Sequence, residues 1–238
     1  MKQILIVITL FAMSNLFSQN ANHACSNLKI QQYNATNAYK SAKISGIDNY
    51  DEKYVKLELG VSNTSKFITG KCTHLVKVEA PSMNEFVFEL INSLTVSSVT
   101  VNGSNTNFNH VNDELIISSP VSHNQNDLVN IEINYSGTPP AGSGFNSPTG
   151  LFNDFSPSWG VQVTWTLSEP YAAKTWWPCK QSLTDKIDST LLIYTTDDNL
   201  KVGSNGLLIA EENITGNKKR YTWKSNYPID YYLISFAC

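Results

Sequence analysis

The chain has 238 residues, with 17 Lys and Arg against 20 Asp and Glu, for a formal net charge of −3. No basic stripe and no cationic amphipathic stretch occurs, which argues against a nucleic-acid partner and against a membrane-surface helix. Low charge with abundant Asn, Ser and Thr, and aromatic residues at 11%, is the composition of an exported β protein able to build a sizeable core.

The chain opens with Met1-Lys2-Gln3, an apolar run from Ile4 to Met13, and polar residues from Ser14. A short positive start and an apolar stretch too short to span a bilayer read as a secretory signal. Residues 1–20 are therefore expected to be a signal peptide, with cleavage between Ser18 and Asn22, and the location to be secreted, periplasmic or cell-surface. No second long apolar run follows, so no transmembrane segment is expected. Residues 21–50 read as a polar, Asn-rich leader with Tyr33, Tyr39 and Tyr50 spaced through it.

From Tyr54 the pattern changes to period-two alternation. Tyr54 to Val61, Phe67 to Val78, Phe86 to Leu90 and Leu94 to Val101 read as strands, and Asn102-Gly103 is a tight-turn signal. Glu114 to Ile117 and Leu128 to Tyr135 continue the series. The Gly, Pro and Ser content of Ser136 to Gly160 excludes a continuous strand or helix and predicts a long loop, pinned by Phe145, Phe152, Phe155 and Trp159. Strands resume at Val161 to Thr166, Ser189 to Thr195, Lys219 to Trp223 and Tyr231 to Ala237. Helical candidates are limited to a turn around Ala172 to Lys174 and one near Thr184. Short strands at regular spacing with turn residues between them predict an all-β antiparallel sandwich or curved sheet over residues 51–238. The chain stops at Cys238 inside an apolar run, from which the domain is expected to be cut short at its C-terminal end.

The segment richest in chemistry is Thr166-Leu-Ser-Glu-Pro-Tyr-Ala-Ala-Lys-Thr-Trp-Trp-Pro-Cys-Lys-Gln181. It places an acidic residue at a strand exit, then a Pro turn, one helical turn and a Trp-Trp-Pro-Cys corner. It resembles the signature of the N-terminal β-domain of the aminopeptidase N family of zinc peptidases, a Glu-Pro-x-x-Ala-(Arg/Lys)-x-x-(aromatic)-Pro-Cys run. Further pieces resemble the same family in the right order: a strand pair from Tyr54 to Val78, Leu200 to Gly206 with an Asn-Gly turn, and Lys218 to Trp223 followed by Pro228 to Phe236 as paired closing strands. The sequence departs from the family at Leu167, where a Gln is frequent, at Gln181, where an Asp is frequent, and at Lys174 in place of an Arg.

The resemblance implies a saddle-like N-terminal β-domain and one substrate-binding residue, Glu169. Its carboxylate would pair with the α-ammonium of a peptide substrate that has a free N-terminus. The family's zinc is held by a His-Glu-x-x-His helix and a later Glu, and no His-Glu-x-x-His occurs in these 238 residues. Zinc is thus expected in a catalytic domain that this chain lacks. No catalytic residue and no metal ligand is assigned within the chain, which alone is expected to be inactive.

The remaining candidates read as structural. His23, His74, His110 and His123 have no i, i+4 partner and read as surface or strand histidines. Cys25, Cys72, Cys179 and Cys238 form no Cys-x-x-Cys pair; an exported chain could form a disulfide, and the sequence does not choose a pairing. Cys179, in its Pro-Cys setting beside two Trp, reads as buried rather than nucleophilic. Trp159, Trp165, Trp176, Trp177 and Trp223 read as core and interdomain packing. The alternative is a non-catalytic secreted module whose Trp residues bind carbohydrate or a protein partner. A third reading is a degenerate domain with only a structural role.

Overall fold

A computed structural model describes residues 45–141 and 149–238. The expected signal peptide, the leader up to residue 44 with His23 and Cys25, and Phe145 lie outside the described residues. In chain order the strands are β1 (Tyr50–Gly60), β2 (Ile68–Val78), β3 (Ser82–Glu89), β4 (Leu94–Val101), β5 (Ser104–Asn105), β6 (Asn107–Val111), β7 (Glu114–Asn124) and β8 (Leu128–Gly137). They continue with β9 (Leu151–Ser156), β10 (Val161–Thr166), β11 (Ser189–Asp197), β12 (Gly203–Ser204), β13 (Leu207–Ile214), β14 (Lys218–Ser225) and β15 (Phe236–Ala237). Three short 3₁₀ turns, Ile47–Asn49, Ala173–Thr175 and Tyr231–Leu233, are the helical pieces among the described residues. No helix among them is long and apolar enough to cross a membrane.

The strands form three sheets. The largest runs β13-β14-β11-β1-β2-β8-β4-β5, a second runs β12-β15-β10-β9, and a third runs β3-β7-β6. The fold is all-β, as the alternation predicts, and pairing is antiparallel except between β1 and β11. A parallel pair requires a crossover rather than a hairpin. Here the whole stretch from β2 to the Trp-Trp-Pro-Cys corner lies between the two strands.

Alternation sets the two faces of the large sheet. Val55, Leu57 and Leu59 of β1, Val76 of β2 and Ile131 and Ile133 of β8 are fully or almost fully buried. Lys56, Glu58 and Lys71 stand on the opposite side. Across the core stand Phe86 and Phe88 of β3, with Trp176 and Trp177, all completely buried. Tyr50 meets both phenylalanines, with ring centroids 5.8 and 5.7 Å away.

The register of β1 shifts between Glu52 and Tyr54. A bulge of this kind reverses which residues face inward. Tyr54 is therefore only partly buried, whereas Glu52 points into the core and pairs with the fully buried His74. With Nδ1 of His74 donating to the Glu52 carboxylate, Nε2 is left to accept from the Cys72 thiol at 3.1 Å. His74, His110 and His123 lie on β2, β6 and β7, as the reading of strand histidines expects.

Three expectations are corrected. Leu151 to Ser156, inside the Gly- and Pro-rich stretch, is a strand: those six residues contain neither Gly nor Pro and pair along their whole length with β10. Tyr231 to Ala237 is not one strand but a 3₁₀ turn followed by the two-residue β15. A short apolar run carries no period of its own, and here Leu233 N bonds back to Asp230 O at 3.0 Å. Nor do Lys218–Trp223 and Pro228–Phe236 pair with each other. β14 lies between β11 and β13, while Ile229 bridges Ile187 and Phe236 pairs with Ser204. Asn102-Gly103 is the tight turn expected, with φ of 50° and 80°. Asn205-Gly206 instead hands the chain from the second sheet to the large one.

Glu52→Ala is expected to lower stability by roughly 1–3 kcal/mol, because it strands a buried ring nitrogen of His74. Lys56→Ala, which breaks only the surface pair with Glu58, is expected to cost less than about 1 kcal/mol. Urea denaturation midpoints of the two variants check this; equal losses would refute it.

Candidate functional site

The acidic loop leaves β10 at Thr166 and is fastened before its carboxylate is reached. Thr166 Oγ1 accepts from Phe236 N at 2.9 Å, and Leu167 N donates to Gly150 O at 2.9 Å. Ser168 O accepts from Ala172 N at 3.0 Å, closing a turn around the cis Glu169–Pro170 peptide. Tyr231 donates its hydroxyl to Pro170 O from the far side. The loop is thus held at the residue before Glu169, at the residue after it, and across the turn.

The 3₁₀ turn that follows, Ala173–Thr175, matches the helical turn expected around Ala172 to Lys174. Thr175 Oγ1 donates to Ala172 O and accepts from Gly150 N, both at 2.7 Å. Gly150 is pressed against this turn: a Cβ there would fall 2.4 Å from Ala172 O. Only the smallest residue permits that approach. The loop and β9 are consequently one packed unit.

The corner then enters the core. Trp176 Nε1 donates to Ser168 Oγ at 2.9 Å, so the indole ties the base of the Glu169 turn directly to the interior. Trp176 O accepts from the Tyr135 hydroxyl at 3.1 Å. Trp177 stacks near His74, with centroids 6.3 Å apart and planes 12° from parallel. Cys179 exchanges two backbone bonds with Glu89 of β3, at 2.8 and 3.0 Å.

Two of the three positions that depart from the family pattern, Lys174 and Gln181, have side-chain partners. The Lys174 ammonium lies 3.5 Å from both Glu89 Oε1 and Asp113 Oδ2. Gln181 Oε1 accepts from Lys174 N at 3.3 Å. Glu89, 1% exposed, Asp113, Ser168, Thr175 and Gly150 are parts of the site that sequence reasoning did not single out. Gly150 stood within a stretch rich in glycine, and nothing local distinguishes it. Glu89 closes β3, and a polar residue at a strand end looks ordinary.

Glu169 itself is exposed, and its carboxylate makes no side-chain hydrogen bond or ion pair among the described residues. The arrangement offers one solvent-facing carboxylate on an otherwise braced loop. Such a group can pair with a cation brought to it.

Cys72 and Cys179 are fully buried, and burial pushes both thiols well above their ordinary range. Cys179 is therefore a packing residue, as expected, since the thiolate is the reactive form. Trp176 and Trp177 are completely buried and Trp165 and Trp223 partly so, consistent with packing roles. Trp159 differs: it is 80% exposed, at the turn between β9 and β10. Among the described residues no three His, Cys, Asp or Glu side chains are placed to hold a metal ion.

No family model matches the sequence, and no curated protein matches it. Solved structures do match the fold. One is an M1 zinc metallopeptidase from Deinococcus radiodurans, a point mutant bound to a Tyr-Ser-Ala substrate. It has a TM-score of 0.67 and 17% identity, over 79% of this chain and 42% of that one. A two-domain M1 zinc metallopeptidase mutant bound to L-arginine matches with a TM-score of 0.70 and 19% identity over the same shares. Yeast LTA4 hydrolase matches with a TM-score of 0.60 and 20% identity, over 80% of this chain and 29% of that one. The chain thus spans well under half the length of these enzymes.

Ser168→Ala is expected to cost roughly 1–3 kcal/mol by leaving the Trp176 indole N–H buried without a partner; thermal unfolding of the variant measures it. In the native protein at pH 8, iodoacetamide is expected to leave Cys72 and Cys179 unmodified and to label both in denaturant, as peptide mass spectrometry would report. Rapid native labelling of either would contradict their burial. Taken together, the geometry and the matches show that this chain has the fold of the N-terminal part of M1 zinc metallopeptidases.

Proposed function

We propose that the chain is the N-terminal β-domain of an exported zinc aminopeptidase, and that Glu169 binds the free α-amine of the peptide substrate. The observation that carries this reading is the placement of the Glu-Pro to Pro-Cys run. It folds at the exit of β10, buries its Trp-Trp-Pro-Cys half and leaves the Glu169 carboxylate to solvent. The fold match and the peptide and amino acid named with two of the matched enzymes support it.

The chemistry fits that role. The α-amine of a peptide has a pKa of about 7.7–8.0 and is mostly a cation at neutral pH. A carboxylate at a fixed place pairs with it by a charge-assisted hydrogen bond. An internal peptide bond carries no such charge, so the pairing selects chain ends. Bracing by Gly150, Tyr231 and Trp176 limits how far Glu169 can move, and a preorganised partner loses less entropy on binding.

The zinc, in a domain of the His-Glu-x-x-His type, would polarise the scissile carbonyl and activate water. Within this chain the residues orient and hold the substrate end. The domain alone is inactive in this reading, and residues 1–20 direct export.

In an enzyme joining this chain to its catalytic domain, Glu169→Gln is expected to lower kcat/KM for a dipeptide amide roughly 10- to 100-fold, mainly through KM. The wild type is expected to lose affinity as pH rises through the α-amine pKa, and the variant to lose that dependence. Steady-state kinetics from pH 6 to 9 test both. Unchanged KM in the variant would defeat the assignment of Glu169, and zinc-dependent turnover by the 238-residue chain alone would defeat the division of labour.

A further inference from the structure

A cavity of about 570 Å³ lies on the solvent-facing side of the large sheet, and no residue from Leu167 to Gln181 lines it. Its shape follows from strand register. One row across the sheet runs Arg220, Thr195, Gly60, Thr69 and Ser136, one residue from each of β14, β11, β1, β2 and β8. The next row on the same face carries Glu58, Lys71 and Asn134, since residues two apart on a strand share a face. Gly60 stands at the centre of the first row, and a Cβ there would come within 2.7 Å of Thr69 Oγ1. The missing side chain leaves a hollow floored by backbone and walled by hydroxyls, an amide and charges.

The charged residues of the lining are Glu58, Lys71 and Arg220. Glu58 is matched by Lys56 and Lys71 by Glu132, each pair at 2.9 Å. Arg220, the one arginine in the sequence, is exposed and makes no ion pair or side-chain hydrogen bond among the described residues, although Glu212 stands opposite it in register on β13. A guanidinium with unengaged donors therefore stands beside the polar row.

We propose that this hollow binds a carboxylate-bearing saccharide, with a uronate carboxylate on Arg220 and sugar hydroxyls along Thr195, Thr69 and Asn134. The planar guanidinium fork matches a carboxylate through two parallel hydrogen bonds. Strands about 4.8 Å apart set side-chain hydroxyls and amides at intervals similar to those between hydroxyls across a sugar ring. An apolar ligand gains little from such a lining, and a bare phosphate would engage Arg220 and leave the rest of the row idle. Tyr135, the aromatic residue of the lining, is buried, so recognition is by polar contacts rather than ring stacking. The site is independent of the aminopeptidase reading and rests on none of its residues.

Isothermal titration of the 238-residue chain with trigalacturonate, maltotriose and inorganic phosphate tests the proposal. Trigalacturonate is expected to bind at least about tenfold more tightly than either of the others. Arg220→Gln is expected to weaken it roughly tenfold with an unchanged melting temperature, and Arg220→Lys to lose less. Thr195→Val, which removes one hydroxyl from the same row at constant volume, is expected to weaken it a few-fold and serves if Arg220→Gln folds poorly. The proposal is overturned if trigalacturonate does not bind. Equal binding of maltotriose, equal binding of phosphate, or full binding by a folded Arg220→Gln or Thr195→Val protein would also overturn it.

Discussion

Two adjacent indoles, Trp176 and Trp177, are both fully buried, and much of the structure depends on how that is achieved. Their rings lie 6.0 Å apart at 53° to one another, so they cannot share one environment. Trp176 packs edge-on to Phe236, with centroids 5.7 Å apart, while Trp177 lies beside His74 of the large sheet. The corner is thus wedged between sheets. Large aromatic side chains dominate core energetics, and a buried indole N–H usually finds a partner. For Trp176 that partner is the hydroxyl of Ser168, next to Glu169. The core packing and the position of the acidic turn are one arrangement.

The charged groups around this wedge are paired, whereas Trp177 Nε1 and Gln181 Nε2 are buried without a hydrogen-bond partner among the described residues. Glu52 meets His74, Lys174 meets Glu89 and Asp113, and Lys180 reaches both Asp185 and the carbonyl of Tyr50. Burying a charge without a partner is costly, and these contacts remove that cost where the loop crosses the core. Glu169 is the contrast. It is the one carboxylate between Thr166 and Gln181, and it stands in solvent on a loop whose backbone bonds inward. A group held so firmly and left free at its tip suits the capture of a charged substrate end.

Much of this was legible in the residues. Alternation located β1, β2, β4, β8, β10, β11 and β14 because each has one face toward the core and one toward water, and side-chain period follows directly from that asymmetry. Asn102-Gly103 was legible because a tight turn demands positive φ at both positions. The Glu-Pro to Pro-Cys run was legible because Pro, Trp and Cys are rarely combined on a plain surface. What escaped notice has physical reasons too. The bulge at Lys53 leaves no trace in hydropathy, so the inward turn of Glu52 was hidden. β9 was masked by the Gly and Pro that flank it. The apolar run at Tyr231 to Ala237 fits a strand and a 3₁₀ turn equally well until Asp230, Ser204 and Thr166 supply its hydrogen-bond partners.

The sequence by itself determined the class of fold, the place of the acidic turn and the burial of Cys179, since these depend on local pattern and residue type. It also located Glu169 as the residue to test. Tertiary structure alone decided which groups support that residue. Gly150, Tyr231 and Glu89 act on the loop across separations that no local pattern encodes, because hydrogen bonds and close packing depend on distance in space. The same holds for the row from Arg220 to Ser136. Its members come from five strands, and only the register between those strands places them around Gly60.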